Sequence, residues 1–263
     1  MARAVSRIAG LSSSAGRCVP SVPKGITACL FDLDGVLTKT AKLHAAAWKQ
    51  MFDEFLRDRE LAGASRPFEL AGDYDEYVDG KPRLDGVRSF LASRAITLPE
   101  GSPEDPPEAE TVHGLGLRKN ALVLELIRRH GVERFEGSVR FVEAARDVGL
   151  RRAVISSSAN CHEVLVAARI EHLFEVQIDA HVAAREHLKG KPAPDTFLAA
   201  ARAFGVFPRE AAVFEDALAG VEAGRAGAFG WVVGVDRKDH SNALVARGAD
   251  TVVHDLAELL VEP

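Results

Sequence analysis

The chain has 263 residues, 47% of them hydrophobic and 27% charged, with 33 Lys+Arg against 38 Asp+Glu for a formal net charge of −5. This is enough length to bury a sizeable core in about one or two domains, and the acidic balance excludes a dedicated nucleic-acid or anionic-membrane binder, which needs net basic surface. No apolar run approaches the ~18 residues of a membrane span, and Cys18, Cys29 and Cys161 are odd in number and widely spaced, so no disulfide or zinc framework is indicated and a reducing cytoplasm is the expected setting.

Residues 1–25 carry Arg3, Arg7, Arg17 and Lys24 with no acid, plus Ser12 to Ser14. They read as a disordered basic extension, with a transit peptide as the alternative. Ordered structure is expected from Ile26, where a short apolar, β-branched run has the pattern of a strand buried on both faces. Trp48, Met51, Phe52, Phe55 and Leu56 then repeat at helical spacing. Further helical patterns fall at Val87, Phe90 and Leu91 and at Leu122 to Ile127, the latter closed by Arg128, Arg129 and Gly131. Between them Pro99 to Glu110 reads as an exposed loop. No strand is evident from about 40 to 130.

From about 134 strands and helices alternate. Helices are predicted at Val139–Val148, Cys161–Ala168, Pro194–Phe204, Leu218–Ala226 and near Asn242–Arg247. Strands are predicted at Arg152–Ile155, Val176–Ile178, Ala212–Phe214, Trp231–Val235 and Thr251–Val253. Such alternation implies right-handed βαβ crossovers, and the fold class is α/β: a Rossmann-like, doubly wound parallel sheet with an inserted α-helical cap. The expected division is a core of 26–39 and 134–263 and a cap of 40–133, with a ligand cleft between them.

Ligands of open parallel sheets sit at the carboxyl ends of the strands. Those ends carry Asp32 and Asp34, then Ser156, then Glu215 and Asp216, while Lys191 lies just ahead of a helix and can reach the same edge. Singly, each is an ordinary turn or cap residue; together they are massed carboxylates that repel unless a cation sits among them. Mg²⁺ suits this oxygen-rich set, with Lys191 as a fixed charge. The chemistry this favours is phosphoryl transfer, with Asp32 as nucleophile and Asp34 placed to trade a proton with the entering or leaving hydroxyl. Gly35 permits the sharp turn.

In this order Asp32-Leu33-Asp34-Gly35-Val36-Leu37-Thr38, Ser156, Lys191-Pro192 and Glu215-Asp216 resemble the four signature motifs of the haloacid dehalogenase superfamily, over residues 26 to about 260. The second Asp marks the phosphatase and phosphomutase branch. The resemblance implies that Asp32 is phosphorylated, Asp34 is general acid/base, and Ser156 and Lys191 hold the transferring phosphate. It also implies Mg²⁺ on Asp32, Asp34 (through its carbonyl), Glu215 and Asp216.

The helical insert is similar to the cap of the β-phosphoglucomutase-like subfamily. His44 and Trp48 match a His and Trp on the first cap helix. Val78 to Arg83, with Gly80, Lys81 and Arg83, resembles a loop holding the sugar and its non-transferring phosphate. Arg118-Lys119-Asn120 resembles an element whose lysine, Lys119, faces the substrate, and Ser158 and Asn160 match a loop gripping the distal phosphate. Lys39 and Ala159 depart from the pattern, which has Asp and Lys there, and the stretches Ala62–Tyr74 and 99–110 are longer than in a compact cap.

A mutase working through a sugar bisphosphate needs a second cationic site across the cleft, and the forked guanidinium of Arg83 suits a phosphate that is held and not transferred. The expected function is therefore interconversion of β-D-glucose 1-phosphate and glucose 6-phosphate, through an aspartyl-phosphate enzyme and glucose 1,6-bisphosphate. A Mg²⁺-dependent sugar-phosphate phosphatase is the alternative, and a non-catalytic sensor is disfavoured because the core catalytic set is complete. The expected partner is a small sugar phosphate, with no nucleic acid and no membrane, and the chain is expected to be monomeric.

Overall fold

The computed structural model describes residues 18–57 and 66–262. Its centre is a six-stranded, all-parallel sheet formed by β2 (Ala28–Asp32), β3 (Arg151–Ile155), β4 (Val176–Ile178), β5 (Ala211–Glu215), β6 (Trp231–Val235) and β7 (Thr251–Val253), in the spatial order β4-β3-β2-β5-β6-β7. The chain winds outward from β2 to β4, then crosses back to β5 and winds the other way. The switch point therefore lies at β2 and β5, where an open α/β sheet leaves a crevice for ligand.

Every residue of β2 is buried, because alternate side chains feed two cores. Cys29 and Phe31 join Val154, Phe214 and Val233 on one face, and Ala28 and Leu30 join Ala153, Ile155, Val213 and Val232 on the other. Phe31 stacks on Phe214 at 4.7 Å between centroids, directly beneath the carboxyl ends. Helices α4 (Glu136–Asp147) and α5 (Cys161–Ala167) contribute to the first core. Helices α7 (Asp195–Phe204) and α8 (Leu218–Ala226) contribute to the second, and α9 (Ser241–Ala246) adds Leu244 to it.

Between β2 and α4 run α1 (Ala41–Arg57), a wide π-helical segment (Leu70–Val78), α2 (Arg83–Ser93) and α3 (Val112–His130). They share a separate apolar cluster in which Phe52 packs on Trp48, Phe68 and Phe90. The two crossings to the sheet run side by side. Lys39 N donates to Glu133 O at 2.8 Å, Phe135 N donates to Leu37 O at 2.9 Å, and Thr38 bridges Arg134 in antiparallel sense. The Arg237 guanidinium lies 3.6 Å from the Phe135 ring centroid and donates to Gly35 O at 3.0 Å, which ties this ribbon to the turn after β2.

Several elements differ from the sequence expectations. The extension expected over 1–25 is corrected at its end: Val19–Pro20 form β1, paired antiparallel with β8 (Leu260–Val261), so regular structure starts before Ile26. Residues 1–17, and the expected leader there, lie outside the described residues, as do residues 62–65 of the stretch 62–74. Helix α3 starts ten residues earlier than the pattern at Leu122, at a Thr111 cap whose Oγ1 accepts from Gly114 N at 2.9 Å. Gly114 and Gly116 obscured it, and Gly114 is held to glycine by contact, since a Cβ there would lie 2.2 Å from the backbone oxygen of Ala109. Helix α6 (Ala180–Arg185), capped by Asp179, lies in a stretch for which the sequence pattern predicts no element. Among the described residues no helix is long and apolar enough to cross a membrane.

Candidate active site

Asp32 is the last residue of β2, and the chain turns at once: Leu37 N and Thr38 N both reach back to Leu33 O at 3.0 Å. Gly35 makes the turn at φ +101°, where a Cβ would stand 1.9 Å from Asp216 Oδ2. Only glycine lets this turn close against the end of β5. There Gly220 gives similar room, since its Cβ would fall 1.8 Å from Glu215 Oε1. Asp32, Glu215 and Asp216 are all buried, with ligand atoms within 4.8 Å of one another.

Lys191 is 2% exposed and is the cation inside this set, bound to Asp32 Oδ1 and 2.5 Å from Glu215 Oε1. Although burial works against its charge, the two carboxylates hold the ammonium above its usual range. Burial likewise pushes Asp32 up to about 6 and Glu215 up to about 7, both against the pull of Lys191. Asp216 is driven well above the carboxylate range by burial, with Asp79 and Glu215 adding to it. Three buried carboxylates against one ammonium leave negative charge unbalanced. All the donors are hard oxygens, so the set fits Mg²⁺, which would be held by Asp32, Glu215 and Asp216.

The sign of the linkage gives a test. A carboxyl group whose folded pKa is raised binds protons more readily folded than unfolded, so its ionisation subtracts stability as pH rises between the two values. For Glu215 that window runs from the ordinary 4.5 to about 7, and for Asp32 from 3.8 to about 6. Protein stripped with EDTA is expected to lose thermal stability from pH 5 to pH 8, and Mg²⁺ to raise the melting temperature more at pH 8 than at pH 5. Calorimetry with and without Mg²⁺ checks this, and an equal gain at both pH values would contradict a site on these acids.

Asp34 is half-buried, loss of solvent raises its carboxyl above the ordinary value, and Thr40 Oγ1 donates to its Oδ1. From α1, His44 Nε2 faces the same oxygen at 3.7 Å. Lys119 of α3 lies 3.0 Å from His44 Nδ1 and 5.0 Å from the Trp48 ring centroid. With Lys119 donating to Nδ1, the remaining ring proton sits on Nε2, toward Asp34. Burial, then the Lys119 charge, holds His44 well below its ordinary value; burial also lowers Lys119 to about 7, against the pull of Asp34.

At the end of β3, Ser156 Oγ accepts from Ser158 N and Ser158 Oγ accepts from Asn160 N, each at 3.1 Å. Asn160 Nδ2 reaches Asn120 Oδ1 at 3.2 Å, and the same oxygen accepts from Arg83 Nη1 at 2.8 Å. Arg83 has no carboxylate partner among the described residues, and only burial acts on its charge, lowering it.

The structure thus brings the sequence-selected residues together. Asp32, Asp34, His44, Trp48, Gly80, Lys81, Arg83, Lys119, Ser156, Ser158, Asn160 and Asp216 line one cavity of about 770 Å³, with Lys191 and Glu215 bonded beneath Asp32. Two of these residues also have partners within the helical block. The Lys81 ammonium is already bonded to Glu76 O and Ser89 Oγ, and Trp48 is buried against Phe52. Sequence reasoning missed Thr40, Tyr74, Asp79 and Lys238. Lys238 was within reach of the strand-end rule, since it lies three residues past β6, but Asp79 sat unnoticed inside the quoted stretch Val78 to Arg83.

Comparison with known proteins gives a consistent family. The haloacid dehalogenase-like hydrolase profile matches residues 26–227. A β-phosphoglucomutase of Mycobacterium tuberculosis is 53% identical over 247 residues, covering 92% of this chain and 94% of the relative. The β-phosphoglucomutase of Bacillus subtilis is 31% identical, covering 89% and 92%. The crystal structure of a β-phosphoglucomutase from Clostridium difficile superposes with TM-score 0.66 at 24% identity, over 89% of this chain and 93% of that one.

Proposed function

The chain belongs to the haloacid dehalogenase-like hydrolase family, in its β-phosphoglucomutase-like branch, and from that premise we propose that it is a phosphomutase interconverting β-D-glucose 1-phosphate and glucose 6-phosphate. The observation that carries this reading is the second cationic end of the cavity. Arg83, held by Asn120 and free of any carboxylate among the described residues, faces a space whose other end is the Asp32 set. A partly buried, uncompensated guanidinium is stabilised by an anion, and a ligand with a phosphate at each end meets both requirements.

In the proposed cycle Asp32 carries a phosphoryl group and passes it to the O6 hydroxyl of β-glucose 1-phosphate, while Asp34 takes the hydroxyl proton. The bisphosphate turns over, Asp32 attacks the phosphorus on O1, and Asp34 returns the proton to the departing oxygen, releasing glucose 6-phosphate. Ser156 and Lys191 hold the transferring group, and Arg83, with Ser158 and Asn160, holds the other. His44, fixed by Lys119, holds its proton toward Asp34. A bound Mg²⁺ would supply charge neutralisation on the transferring oxygens. The helical segments 40–133 serve in this reading as a cap that keeps water from the phosphorylated aspartate.

Hydrolysis is the second reading, favoured by Ala159, which leaves the distal clamp without a side-chain cation at that position. One assay separates the two. With β-glucose 1-phosphate, Mg²⁺ and a trace of glucose 1,6-bisphosphate, glucose 6-phosphate is expected to form with little free phosphate. Stoichiometric free phosphate without glucose 6-phosphate would sink the mutase reading. Arg83→Ala is expected to lower mutase kcat/KM by about 100-fold, the scale of a lost charge-assisted hydrogen-bonded pair, while hydrolysis of a simple aryl phosphate falls far less. Equal losses in both assays would contradict the role given to Arg83.

A further inference from the structure

Lys238 belongs to none of the motifs. It sits on the loop leaving the carboxyl end of β6, and its Nζ donates to Asp75 Oδ1 and Asp79 Oδ2, each at 2.7 Å, while lying 4.8 Å from the Tyr74 ring centroid. All three partners come from the π-helical segment and the residue after it, so a side chain of the sheet domain is gripped by the helical block. Asp79 is buried and lines the same cavity as Asp32, Asp34 and Asp216. Its charge raises the pKa of each of those three carboxyls. It is also fixed there: the next residue, Gly80, has its carbonyl bonded to Ser157 Oγ at 2.7 Å, and a Cβ on it would lie 2.9 Å from Ala217 Cβ.

Settling the block over the sheet therefore carries one more buried carboxylate to a cluster already short of positive charge. In a medium of low effective dielectric this repulsion is weakly screened. Lys238 is the cation bonded to Asp79, and its charge also acts on Asp216. Another ion pair across this boundary, Arg247 with Glu76, is solvent-exposed on both sides and contributes little.

We propose that Lys238 is a positioning residue, which neutralises Asp79 and thereby allows the helical block to seat over the catalytic carboxylates. The inference rests on the reading of the Asp32 cluster as the active site, and it holds whichever phosphate ester is turned over there. Its signature is that removing the cation and removing the carboxylate compensate each other.

The test compares Lys238→Ala, Lys238→Arg, Asp79→Asn and the double variant Lys238→Ala/Asp79→Asn. The readouts are small-angle scattering of the free enzyme and steady-state kinetics with β-glucose 1-phosphate and with p-nitrophenyl phosphate. Lys238→Ala is expected to enlarge the radius of gyration and to raise KM for the sugar phosphate about tenfold, with kcat for the aryl phosphate changed less than about twofold. Lys238→Arg keeps the wild-type values, and Asp79→Asn in the Lys238→Ala background recovers most of the loss in KM and in compactness. Additive or worse defects in the double variant, or an unchanged radius and KM in Lys238→Ala, overturn the proposal. If Lys238→Ala does not fold, Lys238→Gln with and without Asp79→Asn makes the same comparison. Absence of glucose 6-phosphate from the wild type would defeat the mutase reading and leave the scattering comparison standing.

Discussion

Asp32→Asn is expected to abolish both mutase and phosphatase turnover, by roughly 10⁵-fold or more, the scale of losing a covalent nucleophile. The amide keeps the size of the carboxylate, and its oxygen can still accept from Lys191, so the fold is retained. It also removes one charge from a buried set that repels itself, and the metal-free variant is expected to melt no lower than the wild type. Activity and melting temperature thus move independently, which separates loss of chemistry from loss of structure. Acid-quenched wild-type enzyme given glucose 1,6-bisphosphate is expected to carry phosphate on the protein, and the variant none. Substantial turnover in Asp32→Asn would remove aspartyl-phosphate chemistry from the molecule.

Lys191→Ala carries the second large effect, on stability as well as on rate. Lys191 is held between Asp32 and Glu215 with almost no solvent contact. Its loss leaves two carboxylates buried without their cation, a defect of roughly 3–5 kcal/mol in the metal-free protein, and removes a fixed positive charge beside the transferring phosphate. Urea denaturation without metal is expected to report the first, and steady-state turnover the second, as a fall of about 10³-fold. Mg²⁺ replaces charge but not position. It is therefore expected to restore much of the lost stability and little of the activity; full recovery of activity with Mg²⁺ would mean that Lys191 only balances the carboxylates.

The strand ladder was legible because each central strand closes with an apolar run that ends at a polar residue. Phe31 to Asp32, Ile155 to Ser156 and Phe214 to Glu215 all mark the point where a buried strand meets the crevice. The same transition located most of the site. What escaped had no local signature. β1 and β8 are two residues long and owe their strand character to one another across the length of the chain. The π-helical segment follows neither the 3.6 nor the 2.0 period, and Gly114 of α3 is fixed by the Ala109 carbonyl, a contact that no periodicity announces. The Lys238 to Asp79 contact spans 159 residues, and although Asp79 lies within the stretch Val78 to Arg83, nothing local marks it as the partner of a lysine beyond β6. Periodicity reports which face of an element is buried; it does not report which charge from another element meets it.

The paired crossings between sheet and helical block limit how the two bodies can move. With Lys39 bonded to Glu133 and Phe135 bonded to Leu37, the connection is a short two-stranded ribbon. Such a ribbon folds along its length at little cost, but rotation of the block about its own axis would shear those main-chain bonds. The block has one easy degree of freedom, the swing of a door. Arg83 travels on that door and can approach or leave the Asp32 end, yet it cannot be carried around to the opposite side of a bound sugar. In the proposed cycle the exchange of phosphates between the two ends therefore falls to the ligand, which must make its half-turn in the gap while the door stands ajar.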